Sequence, residues 1–298
     1  MLVRTSVVIA ARSGPQPVLS ALASLGRLPR FGEIEVVVAN CCGAETEIAI
    51  AAGFPEVPVV NVPAGTSIAA SRDAAIRRTS GELVAVLHER YHVPPDWLER
   101  MWQAHSEQRA EVVAGCVGPS PGLSMVQWAM YLMEYPHAAP PLASGPVDRA
   151  AACMIPGGNV SYKRTVFERV SMARYLWELD FHTALFDAGA RFYRDGGLIA
   201  EFAHAYTVPE YLRERVEVSR DLSARRAAGR PLVSRLVMAA SRMALPPLII
   251  ARGARTAYPG RFLFALPWMA AFSLAQALGE MSGCFQSVSH QSAPGPEM

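Results

Sequence analysis

Cysteine is scarce in this sequence, and what there is does not pair. The 298 residues hold five, of which Cys41 and Cys42 are adjacent and Cys116, Cys153 and Cys284 are scattered. That pattern excludes a disulfide framework and C-x-x-C metal spacing, and it points to a reduced, cytoplasmic protein. Charge is thin as well. Only 18% of residues are charged while 51% are hydrophobic, which excludes the disordered class. The positive mean hydropathy implies that some apolar surface meets something other than water, and a net charge of +2 identifies no partner. The N-terminus lacks a long hydrophobic run: "SVVIAA" before Arg12 is too short for a signal-peptide core and reads as a strand. Near that strand there is no Gly-rich, Lys-bearing phosphate loop, which disfavours a nucleotidyltransferase.

What is present is strand alternating with helix. "TSVVIAA" (5–11), "IEVVVAN" (34–40) and "ELVAVLH" (82–88) are continuously apolar, as strands covered on both faces should be. "PQPVLSALASLGRL" (15–28) links the first two as a helix. "SIAASRDAAIRRTSG" (67–81) precedes the third, with Ser67 as N-cap and Gly81 as C-cap. This order implies an α/β protein with a mostly parallel sheet and right-handed crossovers. Beyond it, "PPDWLERMWQAHSEQR" reads as a helix opened by prolines and "AEVVAGCVG" as a further strand. The Pro/Ala/Gly-rich stretch 118–151 reads as a long loop around a Met/aromatic helix, "LSMVQWAMYLMEY". "MIPGGNVSYKRTVFERV" gives a Gly-Gly turn, read as tight because glycines supply positive φ, then a short strand and a helix. "ELDFHTALFDAGARFYRDG" gives another helix and strand.

The C-terminal part changes character. Eleven arginines lie between Arg213 and Arg261, against only Glu214, Glu217 and Asp221. Such a segment attracts anionic lipid head groups or nucleic acid, and its aliphatic interleaving favours lipid. In "LVSRLVMAASRMALPPLII", Arg235 and Arg242 stand seven residues apart on one helical face, the pattern of a helix lying in the membrane interface. "FLFALPWMAAFSLAQALG" (262–279) runs 18 residues without a charge, the lower limit for spanning a bilayer. The expected organisation is therefore a catalytic α/β domain over 1–225, a basic and apolar helical membrane-association region over 226–286, and a disordered tail over 287–298.

Ligands of parallel sheets collect beyond the carboxyl ends of the strands. Here those ends deliver "AARSG", then Asn40 with Cys41, Cys42 and Gly43, then "HERYH" (88–92). The last is either an ordinary polar strand end or a set of ligands for a metal or phosphate. Neighbouring strand residues point to opposite faces, so at most one of His88 and Glu89 looks into a site unless the strand has already ended.

The series "SVVIAARSG", "IEVVVANCCG", "AASRDAAIRRTSGELVAVLHE", "PPDWLERM", "GGNVSYKRTVF" and "ELDFHTALFDAGARF" resembles, in order, the family two glycosyltransferases, over most of residues 4–225. The resemblance implies the GT-A fold and transfer of a sugar from a nucleotide diphosphate donor, usually with inversion. It implies that Ala10, Ala11, Arg12 and Asn40 line the nucleotide, with Arg72 and Asp73 against it. Gly157, Gly158 and Asn159 would let backbone approach the donor sugar and diphosphate. Glu89, with His88, falls at the family's metal motif, where Mn²⁺ or Mg²⁺ would be held. Glu178 falls on the catalytic-base position, with Asp180 two residues on, and His204, Arg213 and Arg220 would meet the diphosphate. Together with the tail, this predicts a membrane-associated enzyme on the cytoplasmic side of the cell membrane. Its partners would be a nucleotide-diphosphate sugar, a lipid-linked or envelope glycan and an anionic membrane surface, without nucleic acid. Because the family's acidic cluster is reduced to Glu89, the alternative is a catalytically weakened scaffold that binds a nucleotide sugar or a partner glycosyltransferase.

Overall fold

Seven elements carry the chain from the first apolar run to the third: β1 (Thr5–Ala11), α1 (Pro15–Leu25), β2 (Ile34–Asn40), α2 (Ala44–Gly53), β3 (Val59–Asn61), α3 (Ile68–Ile76) and β4 (Leu83–His88). There follow β5 (Tyr91–His92), α4 (Trp97–Glu107), β6 (Val112–Pro119), α5 (Met125–Glu134), β7 (Gly145–Pro146), α6 (Arg149–Ala152), β8 (Asn159–Lys163), α7 (Val166–Arg169), α8 (Glu178–Asp187) and β9 (Phe192–Phe202). Four helices complete the order: α9 (Val208–Ala227), α10 (Leu232–Ser241), α11 (Leu245–Gly253) and α12 (Pro259–Gly283). This computed structural model describes residues 5–175, 178–203, 206–254 and 257–286, so the tail expected over 287–298 lies outside the described residues. Two compact units result. One comprises Met1–Ser120 with His137–His204, the other Pro121–Pro136 with Ala205–Met298. The boundary expected near residue 225 thus falls inside a continuous helix, α9.

The first unit is built on a nine-stranded sheet of order β3-β2-β1-β4-β8-β6-β9-β5, with β7 added beside β9. The four strands β3, β2, β1 and β4 are parallel, β8 runs antiparallel between β4 and β6, and β6 pairs with β9 in parallel. Every residue of β1 is buried, as its unbroken apolar run requires. Its two polar residues are satisfied: Ser6 Oγ donates to Glu35 (2.6 Å) and accepts from the Gly81 N–H (2.9 Å), and Thr5 Oγ1 accepts from Trp102 Nε1 (2.8 Å). That use of Gly81 explains why α3 stops early. Ser67 caps its start by accepting from the Ala70 N–H, but the helix ends at Ile76, whose carbonyl takes the Thr79 hydroxyl, and Gly81 serves the neighbouring strand instead. Val8, Val37, Val86, Val160, Phe181 and Phe192 belong to the main core cluster.

The second unit is helical. Capping boxes start α5 (Ser124 with Gln127) and α9 (Thr207 with Glu210). Helices α9 and α12 touch closely because two glycines of α12 have no side chain: a Cβ at Gly279 would lie 2.5 Å from the Val216 carbonyl oxygen, and one at Gly283 2.1 Å from that of Arg220. The buried acid Glu280 faces Arg242 at 3.2 Å, and Arg235 donates to the carbonyls of Cys284 (2.7 Å) and Gln286 (3.2 Å). The two arginines do share a face, but that face is turned to the end of α12. The side left to solvent is apolar. Leu232, Val233, Leu236 and Val237 of α10 and Leu263, Phe264, Leu274 and Leu278 of α12 are all exposed. By length and composition, Leu232–Ala251 and Pro259–Gly283 could each cross a bilayer, although a short 3₁₀ turn, Arg242–Ala244, interrupts the first.

Asn159 pins the middle of the sheet. It is 1% exposed, and its side chain donates to the carbonyls of Cys116 (2.8 Å) and Leu198 (2.9 Å) while accepting from Trp97 Nε1 (2.9 Å). The register of β6 slips between Ala114 and Cys116, where Gly115 leaves room for that amide; a Cβ there would lie 2.2 Å from Asn159 Nδ2. Truncation would strand two carbonyls and an indole N–H away from water. Asn159→Ala should therefore lower folding stability by about 2–4 kcal/mol, read by denaturant titration. An unchanged midpoint would remove this structural role.

Candidate active site

The strand register brings the sequence-predicted residues to one edge. Ala11 lies beside Asn40, Ala10 beside His88, and Leu87 beside Asn159. The carboxyl ends of β2, β1 and β4 thus line up with the amino end of β8, the usual place for a ligand in such a sheet. Ala10 and Ala11 are buried and offer backbone, and the Ala11 carbonyl accepts from the Cys41 N–H (2.9 Å). Arg12 is exposed and its guanidinium donates to the Thr66 carbonyl (2.6 Å). Asn40 is 1% exposed, and its amide is occupied in shaping the loop into α2: Oδ1 accepts from the Cys42 N–H, and Nδ2 donates to the Gly43 carbonyl and Asn61 Oδ1, each at 2.9 Å. The side chains of Asn40 and Asn159 therefore both serve the backbone around the edge.

Strand β4 ends at His88, so Glu89 sits in the turn before β5, and it faces the loop after β1. Its carboxylate is 3% exposed. Oε2 accepts from the backbone N–H of Arg12 (3.0 Å) and Ser13 (3.4 Å), and Oε1 accepts from Ser13 Oγ (2.8 Å). Burial raises its pKa above the ordinary carboxylate range, an effect only partly offset by these bonds and by Arg90. His88 accepts from the Arg90 N–H at Nδ1 (3.1 Å) and stacks on Tyr91 with ring centroids 5.0 Å apart. Burial, with the positive charges of Arg72, Arg90 and Arg12, pushes its pKa down to about 3, so the imidazole is neutral at physiological pH. The other histidine of the motif, His92, is held by Ser20 on α1 (2.7 Å).

Among the described residues of this strand end, Glu89 is the one carboxylate offered to a divalent cation. Mg²⁺ or Mn²⁺ wants several oxygen ligands, yet both oxygens of Glu89 are engaged with the Arg12–Ser13 loop and the neighbouring charges are guanidinium groups. Among the described residues no group of three or more His, Cys, Asp or Glu side chains could hold a metal.

Across the edge, Arg72 of α3 and Glu178, which opens α8, form a buried ion pair, with side chains 3% and 10% exposed. The first turn of a helix favours a carboxylate. The pair packs on Gly157, where a Cβ would fall 2.4 Å from Glu178 Cγ and 2.6 Å from Arg72 Nη1. At Gly158 a Cβ would fall 2.7 Å from that of His88 and 2.9 Å from the Tyr91 ring. Neither glycine has a positive φ among the described backbone. They stand in a turn, as the sequence reading has it, but close approach rather than positive φ is what requires glycine there. Asp73 pairs with Arg77 (2.6 Å), and Asp180 is exposed. His204 lies outside the described residues. Arg213 and Arg220 belong to α9 in the second unit, the first exposed and the second 3.7 Å from Asp221. Sequence reasoning missed Ser13, Thr66, Arg90 and Tyr91 as parts of the edge. "HERYH" displayed two of them, but only the fold shows which side chains they meet.

Chemically the edge brings the buried carboxylates of Glu89 and Glu178 together with a neutral imidazole and arginine side chains, groups able to hold an anion and to take a proton. Solved structures share the fold. A mannosyltransferase from Pyrobaculum calidifontis in complex with GDP-Man and Mn²⁺ aligns over 94% of this chain and 88% of its own, with 17% identity and a TM-score of 0.57. TarS of S. aureus (residues 1–349) aligns over 94% and 90%, with 12% identity and a TM-score of 0.54. The same protein in complex with UDP-GlcNAc also aligns with a TM-score of 0.54, at 12% identity and over 94% and 91% of the two chains. No curated protein matches the chain in sequence. The family model described as "Glycosyl transferase family 2" matches residues 6–171, more than half of the sequence and eight of the nine strands. On that match and the GT-A architecture, this chain belongs to glycosyl transferase family 2 and is a glycosyltransferase.

Proposed function

We propose that this glycosyltransferase takes its sugar from a nucleotide diphosphate and passes it, with inversion at the anomeric carbon, to a lipid-linked or envelope glycan at the cytoplasmic side of a membrane. The observation that carries the reading is the buried Arg72–Glu178 pair packed on Gly157 at the carboxyl ends of the parallel strands. In this reading the nucleotide lies over Ala10, Ala11 and Arg12, and the diphosphate and sugar pass along the side-chain-free backbone of Gly157 and Gly158. Glu178 takes the proton of the acceptor hydroxyl as that oxygen attacks the anomeric carbon. The bond to the diphosphate breaks on the opposite face, which inverts the centre. The nucleotide sugars bound by the solved neighbours, GDP-Man and UDP-GlcNAc, support the donor class.

Of the two acids opening α8, Glu178 is the buried one and Asp180 faces solvent. Glu178→Gln should lower kcat by about 10²–10⁴-fold while donor binding is retained, and Asp180→Asn should stay within about threefold of the wild type. Steady-state kinetics over a nucleotide-sugar panel, with the donor Kd measured separately, check both. Full activity in Glu178→Gln would remove the base assignment.

The membrane part rests on the exposed apolar side of α10 and α12, where Val233 is 72% and Phe264 69% exposed. Inserting an apolar side chain contributes about 1.5–3 kcal/mol, so Val233→Ser with Phe264→Ser should cut the fraction bound to anionic vesicles by about tenfold or more. Co-sedimentation reads this directly. Wild-type protein left wholly in the supernatant at low salt would overturn the membrane assignment and leave the chemistry untouched.

A further inference from the structure

By length alone α12 could cross a bilayer, but its neighbours in the second unit do not let it. Helix α9 runs parallel beside its second half. The Tyr211 and Phe272 rings meet with centroids 4.7 Å apart, the gaps at Gly279 and Gly283 receive the carbonyls of Val216 and Arg220, and Ser223 Oγ lies 3.2 Å from Cys284 Sγ. Along α9, Arg213, Glu217, Asp221 and Arg225 stand four residues apart and are all exposed, so one side of that helix is a row of charge. Such a row is excluded from hydrocarbon, and the part of α12 fastened to α9 is kept from full immersion with it. The part before Phe272, residues 259–271, is about 20 Å long at the helical rise, short of the roughly 30 Å of a bilayer core. Helix α10 gives the same answer independently. Arg242, in the middle of the apolar segment 232–251, faces Glu280 at 3.2 Å, and Arg235 donates to the carbonyls of Cys284 and Gln286. The middle of one apolar segment thus lies beside the last turns of the other. The two are out of register for a hairpin across one slab, and the buried Glu280 carboxylate sits between them.

What α12 leaves open is a stripe on one side. Phe264, Trp268, Ala271, Leu274 and Leu278 are exposed at spacings of three and four. They cover about 21 Å of the helix axis. A spanning helix is apolar all round, whereas a helix lying in a surface shows this one-sided pattern. The charge of the unit selects the surface. Helix α9 ends in exposed Arg225 and Arg226, and exposed Arg230 follows, directly before the exposed Leu232 and Val233. Cations next to an inserting apolar side fit anionic lipid head groups. Resting on the reading that this apolar side meets a membrane, we propose that α12 lies along one leaflet of an anionic bilayer and does not cross it, so that both ends of α12 and all of α9 stay on a single aqueous side.

The test uses the full chain on vesicles of equimolar phosphatidylcholine and phosphatidylglycerol. Phe264→Cys, Ala271→Cys and Leu278→Cys are each labelled with a fluorophore, in a background of Cys41→Ser, Cys42→Ser and Cys153→Ser that removes the accessible thiols, Cys116 and Cys284 being buried. Quenching by lipids spin-labelled near the head group or near the chain end reads the depth of each label. All three should lie at one depth, about 5–10 Å into the head-group boundary, and quench best with the shallow lipid. A spanning helix puts the label at 271 about 10 Å deeper than those at 264 and 278, and that result would overturn the proposal while leaving the membrane reading intact. The unmodified chain gives a second measurement. Neutron reflectivity on a supported bilayer of the same lipids should place protein density in the facing leaflet only, and density through both leaflets would again overturn the proposal alone. Wild-type chain that binds neither preparation would overturn the membrane reading as well. Arg225→Gln with Arg226→Gln should weaken binding to these vesicles by about tenfold or more and leave binding to pure phosphatidylcholine within about threefold of wild type. Equal weakening on the two lipids would count against the head-group contact.

Discussion

A guanidinium and a carboxylate that are both out of water, on residues 106 apart in sequence, hold the active edge together. Neither Arg72 nor Glu178 could be buried alone, because an unpaired charge in such a place costs several kcal/mol. Their pairing therefore fixes α3 against the start of α8, and Gly157 threads between them where no Cβ would fit. From this the remaining geometry follows. The backbone of Gly158 continues to His88 and Tyr91, and β8 then enters the sheet at Asn159, whose amide fastens β6, β9 and α4.

The electrostatic character of the edge comes from the same arrangement. Its carboxylates are matched from within the protein, Glu89 by backbone N–H groups and a serine hydroxyl, Glu178 by arginine. Its histidine is held neutral by burial and by the neighbouring guanidinium groups.

Much of the fold was legible because the first, second and fourth strands are unbroken apolar runs, and burial on both faces leaves that signature. The short strands Val59–Asn61, Tyr91–His92 and Gly145–Pro146 have no room for a pattern, and α2, "AETEIAIAAG", has no clear apolar stripe. The site was legible as a set of strand ends and less so as contacts. Asn40 reads as lining the nucleotide and Asn159 as part of a loop whose backbone meets the donor; that their side-chain amides bond the backbone around them is visible only in the fold. The glycine pair reads as a turn and is one, but sequence could not show that close approach is what requires glycine there. Arg235 and Arg242 correctly share a helical face, but sequence spacing could not say that Glu280 and the end of α12 would be on that side. In each case the deciding partner is distant in sequence, and periodicity carries no information about it.

The bracing of Glu89 has a consequence for how this protein can change over time. Its carboxylate joins the end of one strand to the loop of another through Ser13, whose hydroxyl and N–H both bond it. Loss of the Glu89 carboxylate takes the acceptor from the Arg12 and Ser13 N–H groups and the Ser13 hydroxyl together. Any replacement at position 89 must therefore find another way to hold the loop after β1.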